Sequence, residues 1–462
     1  MQERIDIHDV PAGALYVLDA LEQAGFEAWI VGGWVRDTLC EKTAYDVDVM
    51  TVAHWREAAR ALTEAGCEVQ ETGTAHGTVT ACQMGTSIEV TTYRVDGDYS
   101  DHRHPDEVRF VKDAAEDLAR RDLTINAMAW HPLRGLLDPF GGLEDLRAGR
   151  IRTVGNPERR FKEDALRIMR AVRFSLQMGF AVETTTQDAL TSCSGELAHV
   201  APERIGLELD RIVRLGKAGR ALLEQPDVMC ASVPELSQVR GFDQRSVYHI
   251  YDVYGHIAHV CNAVEAFSAG LARPELRWAA LLHDIAKPCC YSEDVDGHGH
   301  FFNHPDEGAR MAARIMRRMG MTTSLTDAVC VLIQLHDEPL PLDAEAVRRL
   351  LARIATLCPG QETALAFSLF NLRRADAVAK CVSAARWAST MDGYASLLRA
   401  EIARGPVFQT RHLAIRGADI IHACHVAPGP AVGLKLYMAL DAVMRGEVPN
   451  EYDALLSWVS NA

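Results

Sequence analysis

The feature that most limits what this chain can fold into is a pair of motifs close together near its start. These are Gly32, Gly33, Trp34, Val35, Arg36, Asp37, and then Asp46, Val47, Asp48, Val49, Met50. Strand side chains alternate between faces, so the second motif puts Asp46 and Asp48 on one side and sends Val47 and Val49 into a core. The apolar run 28–31 reads as a strand ending at the glycines, and residues 34–39 as the start of a helix. Two carboxylates one strand repeat apart suit a hard cation such as Mg²⁺, which takes oxygen ligands and keeps positions open for phosphate. Paired glycines ahead of a helix let backbone N–H groups approach a phosphate chain closely. Taken singly, the first half is an ordinary turn and the second a solvated strand face; their succession is what points to nucleotide chemistry.

Downstream the alternation continues. A helix is expected over 10–25 and another over 53–65, with strands at 68–72, 78–83 and 88–94. The last places Glu89, Thr91 and Tyr93 on one face, and Glu89 is the candidate third carboxylate. Residues 96–106 are polar and rich in turn formers, and read as a mobile loop. Arg120, Arg121, Asp122, Leu123, Thr124, Ile125, Asn126 follow. Paired arginines can fork onto phosphate oxygens, while Asp122 and Asn126 can exchange hydrogen bonds with ribose hydroxyls. Residues 137–146, with Pro139, Gly141 and Gly142, suit a hinge.

From Asn156 the period changes. Asn156 is a plausible N-cap with Pro157 at the first helical position, and one helix is expected to run up to Gly179. Phe161, Ala165, Ile168, Val172 and Leu176 form its apolar stripe, with Arg160, Asp164 and Arg167 together on another face. Ionised Asp164 only accepts and Arg167 only donates. Cytosine and adenine both offer an exocyclic amino donor beside a ring-nitrogen acceptor, whereas guanine and uracil offer the reverse. One Asp and Arg pair therefore reads C and A and rejects G and U. Arg170 lies one turn further on. The bland alternative is a helix salt bridge.

In this order the motifs resemble the nucleotidyltransferases of the DNA polymerase beta type, in the branch of tRNA nucleotidyltransferases and bacterial poly(A) polymerases. The resemblance implies catalytic Asp46, Asp48 and Glu89, and nucleotide binding by Gly32, Gly33, Arg36, Arg121, Asp122, Asn126, Asp164, Arg167 and Arg170. Glu163, Asp164 and Arg167 match the family motif that acts as a protein template for the incoming base. Residues 96–106 resemble the loop linked in that family to addition of the final A. Residues 202–209 resemble a further neck helix.

After about residue 225 the pattern is helical, and a second constellation appears: His256, His283 with Asp284, His304, His336 and Asp376. His249 to His259 are placed ahead of a long helix. The set resembles an HD phosphohydrolase domain, whose histidines and aspartates bind metal; imidazole with carboxylate suits a transition metal or Mg²⁺ acting on a phosphate ester. HD domains of this family range from working phosphatases to inert bodies. The last 60 residues read as 413–421, a turn around Gly429, Pro430 and Gly433, and an amphipathic stretch 434–444; they resemble the tail that supports the tRNA elbow, or cap the HD body.

Composition narrows the classes. The net charge of −15 over 462 residues argues against indiscriminate coating of nucleic acid. The arginines between Arg147 and Arg173 form a local basic stretch where a polyanion would dock. Neither a leader segment nor an apolar run of about 18 residues is visible, which reads as a cytoplasmic protein without membrane contact. The twelve cysteines lack zinc-type pairs and read as reduced, mostly buried thiols.

The expected architecture is α+β: a polymerase-beta-type head of mixed sheet and helices over 1–150, a helical neck over 151–222, an HD body over 223–400 and a helical tail over 401–462. The expected activity is template-independent addition of C, C and A to the tRNA 3′ end from CTP and ATP, with Mg²⁺ and a second divalent metal in the HD domain. The partner is the tRNA 3′ end and acceptor stem, and the chain is a monomer or homodimer. Poly(A) polymerase, an A-only enzyme, and an HD phosphohydrolase with an RNA-binding head remain open.

Overall fold

The computed structural model describes residues 5–44, 46–97, 108–246, 248–380, 385–405 and 407–461. The expected mobile loop falls mostly on 98–107, outside the described residues. The chain forms two compact units, 1–209 and 210–462.

In the first unit seven strands make one mixed sheet: β1 (Ala28–Val31), β2 (Val47–Thr51), β3 (Glu68–Gly73), β4 (Thr78–Gln83), β5 (Thr86–Thr92), β8 (Ala129–His131) and β9 (Gly135–Leu137), in the order β3-β4-β5-β2-β1-β8-β9. A separate ribbon pairs β6 (Arg94–Asp96) with β7 (Val108–Phe110). β2 and β5 are parallel, in a register that puts Asp48 opposite Glu89, and β1 runs antiparallel to β2. Val47 and Val49 are buried and Asp48 is exposed. Asp46 lies just before the strand. Tyr93, expected on the face of Glu89, serves another purpose: it is buried beside Trp29, Met50 and Leu118, and its hydroxyl donates to Glu27.

The helices of this unit are α1 (Ala12–Gln23), α2 (Gly33–Leu39), α3 (Trp55–Glu64), α4 (Ala114–Ala119), α5 (Gly142–Ala148), α6 (Pro157–Glu163), α7 (Leu166–Met178), α8 (Thr184–Ser192) and α9 (Pro202–Arg214), the last crossing into the second unit. At the hinge-like stretch, Asp138 accepts from the N–H groups of Gly142 and Leu143 and so caps α5.

The single helix expected after Asn156 is two. Asn156 does cap it, accepting from Arg159 N, with Pro157 next. At Asp164 the backbone turns extended, with φ −141° and ψ 103°, and α7 starts two residues later. The cause is local: the Asp164 side chain accepts from Leu166 N at 3.1 Å, competing with the helical ladder in the way aspartate does at caps. The apolar stripe survives the break, since Phe161, Ala165, Ile168, Val172 and Leu176 are all buried. Gly179 closes α7 at φ 73°.

The second unit is almost wholly helical. Asp252 caps the helix Val253–Phe267, so His256 and His259 lie inside that helix and not ahead of it. The last residues form helices Gly417–Cys424, Pro430–Arg445 and Tyr452–Asn461 around a core of Leu413, Ile415, Ile420, Ala439, Leu455 and Val459. Pro430 starts a helix there, so Gly433 is helical and not part of a turn. No helix among the described residues is long and apolar enough to cross a membrane. The eleven described cysteines are free; five are buried, and Cys289 is exposed.

Candidate functional site

A cavity of about 550 Å³ opens in the first unit, lined among others by Gly32, Gly33, Arg36, Asp46, Asp48, Arg121, Asp122, Asn126, Asp164, Arg167 and Arg170. Tertiary folding thus collects all nine nucleotide-binding candidates around one space, with Asp46 and Asp48. Glu89 stands across the β-ladder from Asp48 and does not line the cavity. Although the Asp48 side chain faces the cavity, desolvation by its protein surroundings raises its carboxyl above the ordinary pKa, and the charges of Glu89 and Asp46 push the same way against Arg121. Carboxylates crowded in this way are a donor set that a divalent cation relieves, so the residues fit such an ion.

Gly32 begins α2 at φ 76°, and a Cβ there would come within 2.9 Å of Arg121 Nη1. Glycine is therefore required twice, for the backbone and for the arginine. Arg36 is buried; it donates to both oxygens of Asp37 and to Asn126 Oδ1 at 2.5 Å, and lies over the Phe174 ring. Much of its bonding capacity is spent shaping the pocket. Arg120 and Arg121 both lean on Asp117 of α4, which is wholly buried; Arg120 Nη2 is 2.9 Å and Arg121 Nη2 3.6 Å from its carboxylate.

Asp122 is more committed than its expected role as a ribose partner implies. It accepts from Leu123 N at 2.8 Å, Asn126 Nδ2 at 3.2 Å and Arg170 Nε at 2.6 Å. Burial alone would raise its pKa, but Arg170 and the Asn126 hydrogen bond hold it well below the usual carboxylate range. Asn126 in turn spends its oxygen on Arg36.

Asp164 and Arg167, expected to read the base, do not bond each other through their side chains, so the alternative of a helix salt bridge between them is not what forms. Arg167 Nη1 donates to Glu163 Oε2 at 2.8 Å and to Arg160 O, and Nη2 to Arg120 O. Asp164 instead faces Arg204 of α9, with Nη1 to Oδ1 at 3.4 Å and Nη2 to Oδ2 at 3.3 Å. Both still line the cavity, each held by partners of its own. The basic stretch is likewise partly consumed: Arg173 is buried against Glu208, and Arg150 and Arg152 pair with Asp145.

The second unit holds a different centre. His256 comes from the helix Val253–Phe267, His283 and Asp284 from the end of Pro274–Leu282, His304 from the start of His304–Arg318, His336 from the end of Thr323–Leu335, and Asp376 from Glu362–Lys380. All six are buried. Asp284 lies at the middle. Its Oδ2 is 3.4 Å from His256 Nε2 and 3.2 Å from His283 Nε2; its Oδ1 is 3.5 Å from His304 Nε2 and 3.7 Å from His336 Nε2. Asp376 Oδ1 is 3.0 Å from His256 Nε2.

Carbonyl oxygens of Ala280, Phe301 and Ile333 sit 2.7 to 3.0 Å from Nδ1 of His283, His304 and His336. A carbonyl only accepts, so each Nδ1 carries the proton and each Nε2 turns its lone pair inward, the arrangement that metal-binding histidines adopt. Neither oxygen of Asp284 nor Nε2 of His283 has a hydrogen-bond partner. Lys287 Nζ is 2.7 Å from Asp284 as an ion pair, and Lys380 Nζ 2.6 Å from Asp376. Against the effect of burial, the Lys287 ammonium holds Asp284, and the Lys380 ammonium holds Asp376, well below the carboxylate range. Inward lone pairs around a buried carboxylate fit divalent metal, which His256, His283 and Asp284, or Asp284, His304 and His336, would hold. This cavity of about 490 Å³ also exposes Lys287, Lys380 and Arg353 to a ligand.

Four family models match stretches along the chain. Residues 28–152 match the Poly A polymerase head domain, 179–238 the probable RNA and SrmB-binding site of polymerase A, 247–369 the HD domain and 345–459 a putative second domain of tRNA nucleotidyltransferases. A CCA-adding enzyme of Geobacillus stearothermophilus is 32% identical over 448 residues, covering 96% of both chains. The chain belongs to the CCA-adding enzyme family. A relative from Bacillus velezensis has the same name and is also 32% identical, over 97% of each chain. The solved Bacillus stearothermophilus CCA-adding enzyme in complex with CTP superposes with a TM-score of 0.70 at 28% identity, covering 97% of this chain and 96% of that one.

Members of the CCA-adding enzyme family are nucleotidyltransferases that use a divalent metal, and the α+β architecture expected from sequence is the one observed. Three residues in or behind the head cavity were not singled out in the sequence, and of these only Phe174 lines it. Asp117 carried a usable signal, since it precedes Arg120 and Arg121 by three and four positions on a helix. Phe174, flanked by Arg36, Arg170 and Arg173, lies outside the expected apolar stripe, and Arg204 belongs to a helix with no expected chemistry.

Proposed function

We propose that the chain adds C, C and A to the 3′ end of tRNA, taking CTP and ATP and releasing pyrophosphate. The observation that carries this is one cavity with carboxylates Asp46 and Asp48 at one wall and Asp164 and Arg167 at another. The first pair serves nucleotidyl transfer; the second limits the base to C or A. The 3′-hydroxyl of tRNA attacks the α-phosphate in line, and the oxygen bridging to the β-phosphate leaves with pyrophosphate.

Asp46 and Asp48 would hold divalent metal, which by the hardness of these oxygen donors is Mg²⁺; when bound it neutralises charge on the phosphates and lowers the pKa of the attacking hydroxyl. Glu89 supports Asp48 from the neighbouring strand. Arg120 and Arg121, steadied by Asp117, face the triphosphate together with the backbone at Gly32 and Gly33. Asn126 keeps one amide N–H for the sugar. Arg167 donates to the ring nitrogen, and Asp164 accepts from the exocyclic amine. The tRNA-processing role and substrates suit a cytoplasmic location.

The test supplies tRNAs ending before the terminal C, C and A, after both cytidines, or complete, with each nucleoside triphosphate alone. Addition of C to the first, A to the second and nothing to the third is expected. Repeated A on any substrate identifies a poly(A) polymerase, and A without C identifies an A-only enzyme. Full activity in the double variant Asp46→Ala, Asp48→Ala would refute the catalytic assignment.

A second reading applies to the other unit, on the strength of the Asp284-centred cluster and its lysines. There the side chains hold divalent metal and accept a phosphoester whose charge Lys287 and Lys380 meet. Hydrolysis of a nitrophenyl phosphodiester in added Mn²⁺ or Ni²⁺, lost in Asp284→Asn while nucleotide addition persists, tests it; no hydrolysis with any metal assigns this unit a supporting role.

A further inference from the structure

Asp164 cannot be aimed by the helix it was expected to belong to. It sits where the backbone leaves α6 at φ −141°, so no helical neighbour fixes its side chain. Arg167 does not restrain it either, because that guanidinium is bound by Glu163 and the carbonyls of Arg160 and Arg120. What remains is Leu166 N on Oδ1, and Arg204, whose two terminal nitrogens meet the two carboxylate oxygens side by side. A fork on both oxygens stops rotation of the carboxylate, which a single N–H on one oxygen does not. Oδ2 then has one site taken by Arg204 and one left for a base amine.

The helix that carries Arg204 is itself anchored. One turn further along α9, the buried Glu208 accepts a hydrogen bond from buried Arg173 of α7. That pair ties α9 to the helix that also carries Arg167, so the donor and acceptor halves of the reader share one frame. Arg204 does not line the cavity, so it acts on the base only through Asp164.

We propose that Arg204 is a positioning residue for base selection: it holds the Asp164 carboxylate in the orientation that accepts the amine of cytosine or adenine and repels the keto oxygen of uracil or guanine. This rests on the C and A addition proposed above. A fixed acceptor set against a keto oxygen leaves two acceptors facing each other, and that conflict disappears when the carboxylate is free to turn.

The test measures kcat and KM of the full chain for CTP, UTP, ATP and GTP on tRNA acceptors, in the wild type and in Arg204→Ala, Arg204→Gln and Arg204→Lys. In Arg204→Ala the ratio of kcat/KM for C over U, and for A over G, should fall by about tenfold or more, chiefly through KM for the correct nucleotide. Arg204→Lys, a point charge without the fork, should fall between. Thermal melting accompanies each variant, and Arg204→Gln replaces Arg204→Ala if the latter does not fold. An equal loss for all four nucleotides, or unchanged ratios with normal C and A addition, overturns the proposal. A wild type that adds neither C nor A overturns the function itself, which separates the two failures.

Discussion

Replacing Asp122 by asparagine removes one charge from the centre of the cavity network while keeping its shape. In the native protein that carboxylate accepts from Leu123 N, Asn126 and Arg170 and is 8% exposed. If the amide oxygen of asparagine keeps Leu123, its NH2 group takes the Oδ2 position and faces the Arg170 N–H, so that hydrogen bond is lost. Breaking a fully buried pair costs about 3–5 kcal/mol. The Arg170 side chain is 33% exposed and can turn to water, so a charge-assisted hydrogen bond of about 2 kcal/mol is the better measure.

The pH dependence provides the sharper test. Folding depresses the Asp122 pKa, so its stabilisation is complete above the unfolded carboxylate value near 4 and is lost as pH falls toward the folded value. The gap between wild type and Asp122→Asn should therefore be about 2 kcal/mol at pH 7 and narrow by about 1.4 kcal/mol per pH unit below pH 4. Urea unfolding followed by tryptophan fluorescence at pH 7, 5, 4 and 3.5 measures it. No gap at pH 7, or a gap that stays constant to pH 3.5, would show that the ionised Asp122 to Arg170 pair does not hold this site together.

Gly32→Ala should lower nucleotide addition by about tenfold or more, since the new Cβ meets Arg121 and the backbone is left-handed, a strain of about 1–2 kcal/mol by itself; steady-state kinetics and melting check both effects. Glu163→Gln should relax the discrimination of C over U by weakening the hold on Arg167, with the KM for CTP rising more than kcat falls. Asp284→Asn should cut the divalent metal retained by the second unit, read by elemental analysis after dialysis, and leave CTP incorporation unchanged.

Much of the head was readable because its signals are local. β1 and β4 run over the expected residues, the glycines end β1, and Asp48 and Glu89 fall on adjacent parallel strands. Alternation and turn chemistry act between neighbours in sequence, so they survive without knowledge of the fold. The Asp164 break was not readable in this way: its apolar stripe fits one continuous helix, and only the cap at Leu166 N shows that the ladder stops. Asp117 stood within helical reach of the arginines it holds, but a single acid before two basic residues does not announce a site.

The sequence by itself determined the types of chemistry: an acidic strand after a glycine turn, an acceptor and donor pair for the base, and a histidine and aspartate set for metal. Those depend on side-chain identity and short spacing. The tertiary structure decided who holds whom. Arg204 lies 40 residues from Asp164 and Arg170 48 from Asp122, and Asp376 lies 120 from His256. Contacts at such separations are set by how helices and strands pack, and no local pattern encodes them. For that reason the residues proposed to read the base were visible in the chain, and the residues proposed to aim them were not.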